Sequence, residues 1–133
     1  EANKESEKSV NENSPFFLHM AHYAVHAPFH MDPRFLRNYE KSGKSGQAKA
    51  FASMIEGTDK SLADIVAKTR SLGVANNTLV IFLGDNGSDA PLGATHGYSS
   101  SAPLRGKKGT HYEGGMRVPF IVAWAEADSG NEW

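Results

Sequence analysis

The sequence predicts an α/β fold, and three observations predict it. Between Gln47 and Leu72 the larger apolar side chains (Phe51, Met54, Ile55, Leu62, Ile65, Val66 and Leu72) recur at spacings near three and four, one stripe along a helix. Directly after it, Thr78–Leu83 is almost wholly apolar, which suits a strand covered on both faces. A second such run, "RVPFIVAW", closes the chain's apolar content at residues 117–124. With the short apolar stretch "PFFLHMA" (Pro15–Ala21) ahead of the helix, the order strand–helix–strand predicts a βαβ-type unit with a parallel pair.

Each element has local reasons. Residues 1–14, "EANKESEKSVNENS", hold one sizeable apolar residue, Val10, so their ordering entropy has little to offset it; a disordered tail or exposed loop is expected there, with the folded part over 15–133. Pro15–Ala21 is short and apolar enough for a buried strand. "HYAVHAPFHMDPRF" alternates histidines with prolines and reads as a loop at a strand end. The helix expected over 47–72 has Arg70 in its last turn and Gly73 as its stop. Two asparagines turn the chain into the next strand. Residues 84–115 then contain eight glycines and little periodicity, a long connection of the kind that carries function.

The bulk properties bound the function. A chain of 133 residues fits one domain; a domain of this size buries roughly two thirds of its unfolded surface, enough for a core. A formal net charge of −1 argues against a globally basic nucleic-acid binder. There is no cysteine, hence no disulfide and no thiolate metal site within the chain. No apolar run approaches the roughly 18 residues of a membrane helix. The chain starts with Glu and has no charged-then-apolar leader, so a piece of a longer protein is expected.

Three clusters could carry chemistry. The first is "GDNG", Gly84–Gly87, at the carboxyl end of the apolar strand, where ligands sit in parallel α/β sheets. An Asn-Gly hairpin turn is the plainer reading, but the following "SDAPLGATHG" is no alternating strand. Asp85 and Asn86 offer hard oxygens suited to Ca2+ or Mg2+. The second cluster is "HYAVHAPFH". His26 and His30 have the helical spacing of a shared metal, but Pro28 lies between them and disfavours the helix. Without further clustered ligands, His22 and His30 read as ordinary loop residues, while a strand-end His26 could donate hydrogen bonds to an anion. The third is "LRGKKGTHYEGGMRVPF", residues 104–120. Its "GKKG" is superficially a backbone-clamping loop of the KH type, but "THYEGG" starts no good helix, and the phosphate-binding Walker spacing is not met. A solvated basic turn is the plain alternative for Lys107 and Lys108.

Taken together, "PFFLHMAHYAVHAPF", "ASMIEGTDKSLADIVAKTRSLGVANNTLVIFLGDNG" and "PLRGKKGTHYEGGMRVPFIV" resemble, in order and spacing, the sulfatase family of the alkaline-phosphatase superfamily; the resemblance spans residues 15–124. It implies part of an alkaline-phosphatase-like α/β/α sandwich with a mostly parallel sheet. It implies hydrolysis of a sulfate ester on a small molecule or carbohydrate, with a divalent ion, commonly Ca2+, and a formylglycine nucleophile made from a Cys or Ser in a Cys-x-Pro-Ser-Arg type motif. Residue by residue, Asp85 and Asn86 match the later pair of metal ligands, Lys108 the lysine of the Gly-Lys-Gly-Thr motif that contacts sulfate, and His26 the histidine of the His-x-Pro motif that contacts sulfate and assists the leaving group. Glu113, Gly114 and Gly115 look structural, and Arg105 and Arg117 are expected in structural ion pairs.

The family's first-half motifs are missing: there is no early Asp-Asp pair and no Cys. "SAPLR", residues 101–105, has the outline of a nucleophile box but falls after "GDNG", on the wrong side of it. The chain therefore reads as the later part of a catalytic domain, inactive alone, from a parent protein that is periplasmic, secreted or lysosomal. His26, Asp85 and Lys108 are expected to converge. Exposed strand edges would let two copies of the chain pair. Two alternatives stay open: a phosphodiester, phosphonate or phosphate ester hydrolase of the same superfamily, and a non-catalytic anion- or nucleic-acid-binding module.

Overall fold

The structure, a computed structural model, describes residues 14–89 and 100–127. The expected tail lies almost wholly outside the described residues, as does much of "SDAPLGATHGYSSSA". Contacts divide the chain into two compact units, one running to Thr78 and resuming at Trp124, the other Leu79–Ala123.

The first unit is organised by one long helix. After the short helix α1 (Leu36–Tyr39), helix α2 runs Gly46–Ser71, 26 residues and about 39 Å at the usual helical rise. It begins where Ser45 Oγ accepts a hydrogen bond from the Ala48 N–H (3.3 Å). It ends in a Schellman arrangement: the Gly73 N–H donates to the Arg70 carbonyl and the Val74 N–H to the Thr69 carbonyl, with Gly73 at φ +71. A 3-10 turn, Ala75–Asn77, leads into the strand.

The buried face of α2 is made of small residues, Ala48, Ala50 and Ser53, with Met54 and Thr69. The predicted stripe is only partly covered, and Ile55 is 50% exposed. Small residues let Asp32–Phe35 lie close against the helix, where the Asp32 N–H donates to Ser53 Oγ. At Gly57 an added Cβ would stand 3.0 Å from the Asp32 carboxylate, so a larger residue there would require that side chain to shift. No helix among the described residues is long and apolar enough to cross a membrane.

The second unit holds strand β1 (Leu79–Leu83), a one-turn helix α3 (Glu113–Met116) and all but the last residue of strand β2 (Phe120–Trp124). The strands form a two-stranded sheet. The Gly84 N–H donates to the Pro119 carbonyl at one end (3.1 Å), and the Ala125 N–H donates to the Thr78 carbonyl just beyond the other (2.9 Å), a register that makes the pair antiparallel.

Two expectations about the strands need correction. Pro15–Ala21 forms no strand, so the parallel pair across the helix is not found among the described residues. The apolar runs are correctly placed as strands, but both faces are not covered: Ile81, Leu83, Phe120 and Ile121 are each more than half exposed. An apolar run marks a strand that can be buried; which partner pairs with it is a non-local matter the run does not encode.

Candidate functional site

In the second unit, the Gly84–Pro119 hydrogen bond ends the β1–β2 ladder and releases the chain into the turn bearing Asp85 and Asn86. The turn is then tied down by backbone. The Gly87 N–H donates to the Gly115 carbonyl at 2.9 Å. A Cβ on Gly87 would lie 1.9 Å from the Gly114 carbonyl oxygen and 2.9 Å from the Gly115 Cα, so only glycine permits this approach. The Asp85 carboxylate is exposed and the Asn86 amide half-buried. Neither side chain has a hydrogen-bond or ion-pair partner among the described residues, so their oxygens are uncommitted.

Lys108 is carried by the loop that follows Ser101. The Thr110 N–H donates to the Lys107 carbonyl (3.0 Å), closing a turn with Lys108 and Gly109 at its corners and Gly109 at φ +81. Because the Lys108 N–H is not used by this turn, it reaches across to the Ser88 carbonyl at 2.9 Å. This bond and the Gly87–Gly115 bond fasten the lysine loop to the Asp85–Asn86 turn at two points. The backbone of the Lys108 loop is thus tied to that of the Asp85–Asn86 turn, with Lys108 half-buried.

The flanking residues brace this loop. Glu113 pairs with Arg117 (3.4 Å), the structural role expected of that arginine. Arg105 takes a different partner: its guanidinium lies 3.8 Å over the Tyr112 ring and donates to the Tyr112 hydroxyl at 2.7 Å. "THYEGG" does carry a helix, α3, but only one turn of it, with Gly114 and Gly115 buried. Ser101 Oγ donates to the Gly114 carbonyl at 2.9 Å, a bracket across the loop.

His26 lies in the first unit, on a loop held by side chains. His22 Nε2 is 2.8 Å from Ser61 Oγ on α2. Phe29 meets Phe51 of α2 edge to face at 5.5 Å, and the Asp32 N–H donates to the fully buried Ser53 Oγ (2.9 Å). Arg34 grips Asp32 with its guanidinium, Nε–Oδ1 3.0 Å and Nη2–Oδ2 2.6 Å. The hydrogen bonds from Arg34 hold the Asp32 carboxyl below the usual carboxylate value, and the same pairing raises the guanidinium's. Within the loop the His26 N–H donates to the Tyr23 carbonyl, and Tyr23 Oη donates to the Pro28 carbonyl at 3.3 Å. His26 Nδ1 is 2.6 Å from the Ala27 carbonyl. A carbonyl only accepts, so the proton sits on Nδ1 and Nε2 is the atom left for other chemistry.

Sequence reasoning did not find three contributors. Ser88 acts through its main-chain carbonyl, which no side-chain pattern reports. Tyr112 and Thr110 lie inside a stretch already singled out, but their roles depend on which neighbours the loop folds onto. Among the described residues no three His, Asp or Glu side chains gather as a metal cluster. Asp85 and Asn86 suit a hard cation, yet Ca2+ takes about six to eight oxygens, so this pair would be one part of a larger ligand set.

The sequence model of the family described as Sulfatase matches residues 4–130. Arylsulfatase J of Mus musculus is 33% identical over 108 residues, 81% of this chain and 17% of that protein. N-acetylgalactosamine-6-sulfatase of Mus musculus is 37% identical over 111 residues, 84% of this chain and 20% of that protein. N-acetylgalactosamine-6-O-sulfatase of Bacteroides thetaiotaomicron is 34% identical over 121 residues, 86% of this chain and 22% of that protein. Among solved structures, Ps i-CgsB in complex with k-i-k-neocarrahexaose superposes with a TM-score of 0.78 at 30% identity, over 92% of this chain and 26% of that one. The chain spans about one fifth of the length of these curated relatives. With nearly its whole length matched in sequence and fold, the chain belongs to the sulfatase family and has its alkaline-phosphatase-like α/β fold.

Proposed function

We propose that this chain is the later part of a sulfatase catalytic domain and that the longer polypeptide carrying it hydrolyses a sulfate ester on a carbohydrate or small molecule. One observation supports the reading: the Lys108 N–H bond to the Ser88 carbonyl, which ties the loop bearing the half-buried Lys108 to the turn bearing Asp85 and Asn86. That pairing suits a tetrahedral anion held between a lysine and a divalent ion. The names of the relatives, which include N-acetylgalactosamine-6-sulfatase and steryl-sulfatase, support a sulfated sugar or small molecule as substrate. The k-i-k-neocarrahexaose in complex with Ps i-CgsB favours a sugar.

The roles follow from the chemistry of each group. Lys108 is a compact point charge that binds sulfate oxygens and stabilises negative charge growing on them in the transition state. His26, its Nδ1 proton held by the Ala27 carbonyl, presents Nε2; protonated there, it binds the anion and gives that proton to the leaving oxygen as the ester bond breaks. Asp85 and Asn86 supply two oxygens for Ca2+ or Mg2+, with the remaining ligands outside this chain. When bound, the ion would neutralise and orient the sulfate. The nucleophile, a formylglycine, belongs to a part of the polypeptide not in this sequence.

The test is a comparison of 4-nitrophenyl sulfate and 4-nitrophenyl phosphate as substrates of the full-length protein with its divalent ion. A higher kcat/KM for the sulfate is expected. A clear preference for the phosphate would transfer the same residues to phosphoester hydrolysis, and hydrolysis of neither, with salt-sensitive oligonucleotide binding instead, would leave only an anion-binding module.

A further inference from the structure

We infer that Thr110 is a positioning residue for Lys108, an inference that rests on the reading of Lys108 as the sulfate-contacting cation. A lysine side chain has four flexible carbons, so the loop can fix its ammonium only by fixing the backbone from which it springs. Thr110 does this by closing both ends of one residue's backbone. Its Oγ1 accepts from the Lys107 N–H (3.1 Å) and donates to the Lys107 carbonyl (2.7 Å). A hydroxyl can donate and accept at once, and few other side-chain groups of this size can. The same Lys107 carbonyl takes the Thr110 N–H, so the turn is closed by three hydrogen bonds between two residues.

The hydroxyl has little freedom to leave this arrangement. A Cβ on Gly106 would stand 2.5 Å from Thr110 Oγ1, and a Cβ on Gly115 would stand 2.9 Å from it and 2.2 Å from the Thr110 carbonyl oxygen. Backbone of two glycines therefore lies against the threonine where side chains would otherwise be. With the turn held rigid, the Lys108 N–H is left aimed at Ser88, two residues after Asn86. Thr110 thus sets the distance from the lysine to the metal-binding turn without touching substrate.

The experiment is a double-mutant cycle in the full-length protein, reading kcat/KM for 4-nitrophenyl sulfate. Thr110→Val keeps the branched shape and removes the hydroxyl; it is expected to lower kcat/KM by about ten- to a hundredfold, the scale of a displacement of about 1 Å in a catalytic group. Thr110→Ser keeps the hydroxyl and should stay within about threefold of wild type, since the hydrogen-bonding group is unchanged. In a Lys108→Ala background, Thr110→Val should cost nothing further, because a residue acting through the lysine has nothing left to position. An equal loss in both backgrounds overturns the inference, as does a Thr110→Ser variant as impaired as Thr110→Val. Should Thr110→Val not fold, Thr110→Ala removes the same hydroxyl with no added bulk and is read against the same outcomes. If Lys108→Ala alone keeps wild-type activity, the failure lies with the role given to Lys108.

Discussion

The loop carrying His26 and the loop carrying Lys108 each present one candidate side chain, and they are fixed by opposite means. The His26 loop is fastened by side chains onto a long helix: His22 on Ser61, Phe29 on Phe51, and the Asp32 amide on Ser53. The Lys108 loop is fastened mainly by backbone on backbone, Lys108 to Ser88 and Gly87 to Gly115, at glycines that leave no room for a Cβ. Side-chain fastenings can be lost one at a time, each at a modest cost. Interlocked backbone cannot be loosened by degrees, because one added methyl group displaces main chain on both sides.

That contrast can be broken or sharpened by three measurements. Gly87→Ala should have the largest effect. Its Cβ would meet main-chain atoms that cannot rotate away, so a loss of about 3 kcal/mol or more in unfolding free energy is expected, at or beyond the upper end for overpacked sites. A Gly87→Ala protein with an unchanged denaturation midpoint would show that the Lys108 loop is as yielding as the other. Ser53→Ala should come next. The substitution leaves the Asp32 N–H without its acceptor beside a fully buried position, a cost of about 1–3 kcal/mol in a urea titration. The rest of the His26 loop should persist, because its other fastenings do not pass through Ser53.

The smallest effect is expected at the Asp32–Arg34 pair. Arg34 lowers the native Asp32 value below the ordinary 3.8. As the unfolded chain takes up this proton first, the pair's stabilisation is complete above that value and is lost as pH falls through the lowered native one. Asp32→Asn should therefore flatten the pH dependence of the melting temperature only on the acid side of 3.8. The Arg34 guanidinium is largely open to solvent although the Asp32 carboxylate is mostly covered, so the change should be modest and should shrink with added salt. A change centred near neutral pH would point to a histidine in its place.

Much of the local structure was legible because it is local. The stripe from Phe51 to Leu72 and the stop at Gly73 predicted a helix over 47–72, and it runs Gly46–Ser71. The apolar runs after Asn77 and Arg117 became β1 and β2. "PFFLHMA" has the same apolar character and forms no strand, since a strand exists only when a neighbour supplies the other half of its hydrogen bonds. The candidate side chains of the Lys108 loop and its neighbouring turn were legible by chemical type: an Asp-Asn pair after a strand and a lysine between glycines. The loop's bracing was not, because the Ser88 carbonyl, the Arg105–Tyr112 stack and the Ser101–Gly114 bond join residues that have no reason in sequence to be neighbours.

The sequence alone determined the long helix and two of the three expected strands, which side chains can ligate or bind an anion, and which family these motifs resemble. Those properties reside in spacing and residue type within short windows. Only the tertiary structure decided that the two strands run antiparallel, that the helix buries alanines and Ser53 more deeply than most of its larger apolar residues, and that the Asp85–Asn86 turn is bound to the Lys108 loop. Those are contacts between distant residues. Their energy depends on distances that exist only once the chain has folded.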